Sequence, residues 1–323
     1  MARSISIKNR INHLWFSSVE PFLGNLWQIR QHFQDSKKEA SLEMALKQLE
    51  SRWPEVRSSS QANPIFIFAA GWRSGSTLLQ RLITSSGEVM IWGEPYSHNY
   101  LIQSLAEPLK GFTEVYPRNS WFLSPEQYRK DYLTQNFTAN LYPDISHLLE
   151  SHRSFWENLF AVPSQEIGFS RWGIKEVRLG VDSAFYLRWL FPKAKFLFLY
   201  RNPYDAYASF AGSYWYKRWP HQPVYNPRQF GSNWLELTEG FIHHADRVGA
   251  KLISYENLCS DNFDWSSLND YLELKVDPNV LKIRVTGNIK QDDKKLYYSR
   301  KHLRVLQSKV NPLASKLGYQ LSY

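Results

Sequence analysis

Cysteine is nearly absent: Cys259 is the only one in 323 residues. A single thiol excludes an intrachain disulfide and a thiolate metal cluster. No apolar run reaches the roughly 20 residues that a membrane-spanning helix needs. The first residues carry Arg3, Lys8 and Arg10 but no apolar signal-peptide core, so the expected location is cytoplasmic. No Gly-x-Ser-x-Gly elbow surrounds the hydroxyl-rich loop discussed below, which argues against a serine hydrolase. Acidic residues are the minority, 30 against 39 Lys and Arg, giving a net charge of +9 and a pI near 9.4. That balance suits an anionic ligand, and it would also suit nucleic acid or an acidic membrane surface.

Hydrophobic residues, by contrast, make up 43% of the chain and include 13 Trp, enough for a substantial core in one large domain or two smaller ones. The stretch that organises the rest is Ile65-Phe66-Ile67-Phe68-Ala69-Ala70-Gly71-Trp72-Arg73-Ser74-Gly75-Ser76-Thr77. An apolar run stops at a glycine, a small hydroxyl-rich loop follows, and Leu78, Leu79, Leu82 and Ile83 then repeat at helical spacing. The pattern predicts a buried strand, a tight loop and a helix, the layout of a phosphate-binding loop. Gly71 and Gly75 let the backbone approach an anion, and free amides at the helix start point towards it. Ser74, Ser76 and Thr77 add hydroxyls, and Arg73 adds a fixed bidentate charge.

The loop is not a Walker A loop, because Gly75 is followed by Ser76 and no lysine. No apolar strand ends in a metal-holding aspartate, so no metal is expected. Both absences count against an ATP or GTP enzyme with bound magnesium.

Arg73-Ser74-Gly75-Ser76-Thr77 resembles the 5′-phosphosulfate loop of the sulfotransferases that use 3′-phosphoadenosine-5′-phosphosulfate (PAPS). Trp72-Arg73-Ser74-Gly75-Ser76 is most similar to the carbohydrate 6-O-sulfotransferases, with the tyrosylprotein sulfotransferases also similar. Glu94 lies twenty-one positions after Arg73, beyond the predicted strand Glu88–Trp92. Both groups place a glutamate at that distance, and the carbohydrate enzymes continue as Glu-Pro-x-x-His, as in Glu94-Pro95-Tyr96-Ser97-His98. The resemblance to the tyrosylprotein enzymes makes Glu94 the general base, with His98 as a secondary base or orienting residue. Lys175, in Trp172-Gly173-Ile174-Lys175-Glu176, resembles the lysine that contacts the transferred group. The match is loose, since the tyrosylprotein enzymes read Lys-Asp-Pro where this chain has Lys175-Glu176-Val177. Arg178 can join the same anionic region.

A second strand, Lys195–Tyr200, ends at Arg201. Asn202 then suits a helix cap and Pro203 its first position. Sulfotransferases grip the 3′-phosphate with a strand-end arginine and a serine eight positions later, a spacing kept by Arg201 and Ser209. Tyr255-Glu256-Asn257-Leu258 closes a predicted strand Ala250–Glu256 and resembles the family's Tyr-Glu-Asp/Asn-Leu, which places Tyr255 at the nucleotide. Cys259 is read as packing inside the following helix. Lys290, in Thr286–Lys290, falls where the family folds a late loop over the nucleotide.

Elsewhere the pattern is thinner. Ser36 with Glu39 forms a candidate capping box before Leu42, Ala45, Leu46 and Leu49. Residues 1–62 therefore read as a helical extension packed on a domain spanning 63–323. Trp15, Phe16 and Trp27 leave peripheral membrane contact open. Leu101–Leu109 reads as helix, and the stretch from there to 165 shows no clear period. Tyr214–Phe230 holds three prolines and six aromatics, which bars a regular helix after Trp219 and suggests one wall of an acceptor cleft. A helix is expected over Ser232–Arg247, and Leu303, Leu306 and Val310 mark a closing one.

The expected fold is a single α/β domain, a P-loop-type, mostly parallel sheet flanked by helices, with an aromatic-rich insertion. The resemblance implies transfer of a sulfuryl group from PAPS to an acceptor hydroxyl on a small molecule or glycan, with no nucleic-acid partner. A P-loop nucleotide kinase or NTPase and a non-catalytic polyanion-binding protein are the competing readings. Binding that needs ATP and magnesium would favour the first, and steeply salt-dependent polymer binding the second.

Overall fold

The computed structural model describes residues 41–94, 100–127, 138–211, 224–283 and 299–321. Leu42–Tyr323 forms one compact unit. Five strands make its central sheet: β1 (Ile65–Ala69), β2 (Val89–Trp92), β3 (Arg171–Glu176), β4 (Lys195–Tyr200) and β5 (Ala250–Ser254). They lie in the order β2-β3-β1-β4-β5, and every pairing is parallel. All five residues of β1 are buried, as a central strand covered on both faces requires. In register, Phe66 lies between Ile174 of β3 and Phe196 of β4.

Helices connect the strands and cover the sheet. In chain order they are α1 (Leu42–Arg52), α2 (Ser76–Thr84), α3 (Leu101–Ala106), α4 (Ser146–Trp156), α5 (Val162–Glu166), α6 (Val181–Leu190), α7 (Pro203–Ala211), α8 (Pro227–Val248), α9 (Tyr255–Leu258), α10 (Trp265–Leu272) and α11 (Arg300–Lys316). A separate two-residue parallel ladder pairs Phe122–Leu123 with Tyr142–Pro143. Aromatic contacts knit sheet to helices. Phe198 of β4 stacks on Phe241 of α8 at 4.5 Å between centroids, and within the sheet Phe66 of β1 packs edge-on against Trp172 of β3.

In α1, Leu42, Ala45, Leu46 and Leu49 turn inward as their spacing predicts. Its buried Glu43 pairs with Lys47 at 2.8 Å and with Arg247 of α8. At its end, Trp53 packs edge-on against Phe112 and Phe122. Arg52 donates to the carbonyls of Thr113, Tyr116 and Pro117 and to Asn119 Oδ1. Residues 1–40, with the Ser36/Glu39 capping box and Trp15, Phe16 and Trp27, lie outside the described residues.

Several sequence expectations are corrected. Residues 146–166 are helical, with a π-helical turn at Glu157–Ala161 between α4 and α5. β5 stops at Ser254, whose hydroxyl caps α9 by accepting from the Asn257 amide, so Tyr255 and Glu256 begin a helix and do not end a strand. Cys259 follows that helix and is exposed, not packed. α8 begins at Pro227, not Ser232, with Asn226 Oδ1 accepting from the Gln229 amide. Asn226 is thus an N-cap and Pro227 a first-turn proline. Val224 and Phe230, at the end of the proposed cleft wall, are buried in the core, where Phe230 packs on Tyr207 and Phe210.

Candidate active site

In this strand order the chain leaves β1 towards β2 on one side and leaves β4 towards β5 on the other. The crevice between the carboxyl ends of β1 and β4 is therefore the topological switch point, where ligands of open α/β sheets bind. The loop Gly71–Gly75 occupies the β1 side of it.

The loop is anchored from both neighbouring strands. Ala70 donates to Leu199 O of β4 at 2.8 Å, and Gly71 donates to Val177 O just after β3 at 2.9 Å. Ser74 is buried, and its hydroxyl donates to Gly71 O at 2.9 Å, so it closes the loop on itself. Among the described residues no backbone carbonyl accepts from the Ser74 or Gly75 amides. The amides of Ser76 and Thr77, the first two of α2, also have no backbone acceptor among the described residues, while those of Leu78 and Leu79 both donate to Gly75 O. Thr77 is exposed and Ser76 buried in that turn. Gly75 caps the helix at φ +91°, a conformation costly for any residue with a side chain. A Cβ there would lie 2.1 Å from Cδ2 of Tyr255, so the Tyr255 ring rests directly on the loop backbone.

Arg73 also has a left-handed backbone, φ +63°. Its Nε donates to Ser209 Oγ of α7 at 2.8 Å, while Arg201 Nη1 donates to Arg73 O at 2.9 Å. The Arg201 guanidinium lies 4.2 Å above the Tyr255 ring. Desolvation, and secondarily the Arg201 charge, push the Arg73 pKa down. Among the described residues no carboxylate pairs with either guanidinium. The structure thus brings Arg73, Arg201, Ser209 and Tyr255 together. Arg73 reaches across the crevice to the serine that the sequence had grouped with Arg201 alone.

A second cluster forms where β2 and β3 end. Lys175 is almost wholly buried, and its Nζ lies 2.7 Å from Oε1 of Glu94, which keeps a quarter of its side chain exposed. Next in the chain, Glu176 is 1% exposed, with no hydrogen-bond partner for Oε2 among the described residues. Burial, and then the Glu94 charge, raise the Glu176 pKa well above the usual carboxylate range, against the opposing effects of Arg178 and Lys175. Arg178 is buried too, its guanidinium 5.1 Å from the Trp72 ring, and Trp72 stacks on Phe210 of α7. Trp72 and Arg178 therefore tie the loop to the Glu94–Lys175 pair. Sequence reasoning met Glu176 only as a departure from the Lys-Asp-Pro pattern and gave it no role in the site. The available signal was its neighbour, since a carboxylate beside a site lysine at the end of an interior strand has little water to face.

His98 and Lys290 lie outside the described residues, as does most of the aromatic segment, Tyr214 to Gln222, with Trp215 and Trp219.

A family profile described as the sulfotransferase family matches residues 64–278. Among solved structures, a sulfotransferase domain from the curacin biosynthetic pathway is similar in fold, with a TM-score of 0.50 and 19% identity, covering 82% of this chain and 100% of that one. A sulfotransferase domain from the olefin synthase of Synechococcus PCC 7002 gives a TM-score of 0.45 and 17% identity, covering 82% and 98%. A sulfotransferase from Mycobacterium avium gives 0.43 and 13%, covering 87% and 84%. A search of curated proteins found no match.

Proposed function

The chain belongs to the sulfotransferase family, and we propose that it takes its sulfuryl group from PAPS and delivers it to a hydroxyl of a carbohydrate or other polyhydroxylated small molecule. The observation that carries the donor assignment is the pair of guanidinium groups, Arg73 and Arg201. Both are joined to the crevice by hydrogen bonds, at Ser209 and at Arg73 O, and no described carboxylate neutralises them. Two like charges held together in a partly desolvated site favour an anion between them. A 3′-phosphate supplies one, and the open amides of Ser74, Gly75, Ser76 and Thr77 suit a second at the 5′ end.

When bound, PAPS supplies an activated sulfuryl group on a phosphate leaving group. The chain's own residues would hold and discharge it. Arg201 and Ser209 would grip the 3′-phosphate, with Tyr255 as a platform, while Arg73, the loop amides, Ser76 and Thr77 would face the 5′ end. Lys175 uses one ammonium proton towards Glu94 and has two more for the transferring group and its leaving oxygen. Glu94, held through Oε1, would take the acceptor's proton on Oε2, while Lys175 keeps the carboxylate in place. Fixed charge and orientation are what an in-line transfer asks of a protein.

The acceptor class rests on the resemblance of Trp72-Arg73-Ser74-Gly75-Ser76 and Glu94-Pro95-x-x-His98 to the carbohydrate enzymes. No helix among the described residues is long and apolar enough to cross a membrane. A cytoplasmic location belongs to the same reading and fits a chain with a single cysteine.

The test incubates the protein with sulfur-labelled PAPS and a panel of glycans, phenols and small alcohols, alongside calorimetry with adenosine 3′,5′-bisphosphate and AMP. Label transfer to a glycan or polyol, with the bisphosphate bound far better than AMP, is the expected result. Transfer only to phenols would overturn the acceptor class, and equal affinity for the two nucleotides would overturn the 3′-phosphate grip.

A further inference from the structure

The peptide group that joins Arg201 to Asn202 is held at both its carbonyl and its amide by side chains from later in the chain, one of them backed by a third. Trp234 Nε1 of α8 donates to Arg201 O at 2.9 Å. The amide of Asn202, the next residue, donates to Oε1 of Glu256 at 2.9 Å. The other oxygen of that carboxylate, Oε2, accepts from the hydroxyl of Tyr319 at 2.7 Å. Asn202 in turn caps α7, its Oδ1 accepting from the Tyr204 amide at 2.9 Å, and α7 carries Ser209. Glu256 therefore fixes the turn from which both Arg201 and the helix of Ser209 depart, and Tyr319 fixes Glu256.

Tyr319 is itself firmly placed. It follows α11, where Gly318 turns the chain at φ +79° and the Tyr319 amide donates to Ala314 O at 2.8 Å. The Tyr319 ring packs edge-on against Tyr200, the last residue of β4, at 6.5 Å. α11 lies against α8, with Leu306 and Val310 over Gly231, so the segment cannot drift from the sheet without unpacking two helices. Burial, with Glu256 beside it, holds the phenol above its usual pKa, so it remains a hydrogen-bond donor at any working pH.

We propose that Tyr319 is a positioning residue for the nucleotide site, acting through Glu256 and Asn202 to hold Arg201 and Ser209 in the geometry that grips a 3′-phosphate. The proposal rests on the PAPS reading of that crevice. None of Tyr319, Glu256 or Asn202 need touch the nucleotide. Their effect is on how rigidly the two gripping side chains are presented, and an ångström of looseness is enough to weaken such a site. The 5′ loop shares two hydrogen bonds with this grip, Arg201 to Arg73 O and Arg73 to Ser209, but it has its own backbone anchors on β4 and Val177, so its hold on a 5′-phosphate depends much less on Tyr319.

The test is calorimetry with adenosine 3′,5′-bisphosphate and with AMP on wild type, Tyr319→Phe, Glu256→Gln and the double variant, with thermal melts of each. Tyr319→Phe removes one oxygen and keeps the ring packing. The expected result is a loss of about three- to tenfold in bisphosphate affinity, a fraction of what a hydrogen bond to a charged group contributes, with a much smaller loss for AMP. The loss in the double variant should be smaller than the product of the single losses, because both act on one carboxylate. Unchanged bisphosphate affinity in Tyr319→Phe overturns the proposal. So does an equal loss for both nucleotides with a lowered melting temperature, which would make Tyr319 a packing residue. A wild type that does not prefer the bisphosphate overturns the PAPS reading, and the positioning role with it.

Discussion

Gly75→Ala probes the loop where its geometry leaves least room. The backbone stands at φ +91°, and the new Cβ would fall 2.1 Å from Cδ2 and 2.5 Å from Cε2 of Tyr255. Two costs follow. Holding an L-residue in the left-handed region costs about 1–2 kcal/mol, and forcing the ring or the loop aside adds about 1–3 kcal/mol. The ring does not move alone, since the Arg201 guanidinium lies over it at 4.2 Å. At about 2 °C per kcal/mol for a unit this large, the variant should melt about 4–10 °C below wild type. It should also bind adenosine 3′,5′-bisphosphate more weakly, because the displaced ring carries Arg201 with it. Tyr255→Ala in the same background makes room for the methyl, so the double variant should recover the overpacking part and keep the backbone part. Melts and calorimetry on the four proteins of this cycle read both. A Gly75→Ala protein that melts within about 1 °C of wild type, or a cycle that is strictly additive, would refute the contact and the loop geometry built on it.

Arg201→Ala should weaken adenosine 3′,5′-bisphosphate binding by about ten- to a hundredfold and leave AMP nearly unaffected, read by calorimetry. Glu94→Gln should keep bisphosphate affinity while lowering turnover by about 10²–10⁴-fold, and normal turnover at neutral pH would move the base elsewhere, with His98 next in line. Glu176 gives a pH prediction. Its folded pKa is raised far above the ordinary 4.5, so the folded state keeps a proton that the unfolded state releases. That stabilising term is fully present below the unfolded pKa and is lost as pH rises towards the folded one. Glu176→Gln should therefore gain melting temperature relative to wild type between pH 5 and pH 8, and a constant difference across that window would show that Glu176 is ionised in the fold.

Strand ends were legible in the sequence, and what meets beyond them was only partly so. β1 and β4 are apolar runs long enough to fill a central position, and each ends in a visible chemical change, at Gly71 and at Arg201. Asn202-Pro203 announced α7 by the cap and first-turn rule, which the fold obeys. The same rule would have placed the start of α8 at Asn226-Pro227. There the cluster of three prolines was read as barring a helix, although a proline in the first turn loses no hydrogen bond. The helices of 146–166 escaped notice for another reason. Their buried side chains, Leu149, Trp156 and Phe160, are sparse, and the π-helical turn shifts the stripe just where a period of 3.6 would have to continue.

Orientation explains why the remaining site contacts had no sequence signature. All five strands are parallel, so each delivers its final residue to one edge: the loop after β1, Glu94 after β2, Lys175 and Glu176 on β3, Arg201 after β4, Tyr255 after β5. Spacing along the chain is then set by the crossover helices and carries no information about which ends are neighbours. Strand order does, and it puts β1 beside β4 but separates β2 from β1 by β3. Two clusters result from that order. Arg73, Arg201 and Ser209 meet across the β1–β4 crevice, and Glu94 meets Lys175 where β2 borders β3. The two are linked by Trp72 and Arg178, one leaving β1 and the other following β3, which are themselves neighbours. A transferring group held between nucleotide grip and base must span this link. The loop's left-handed Arg73 and buried Trp72 are adjacent in the chain, so one short segment with a costly backbone faces both clusters at once.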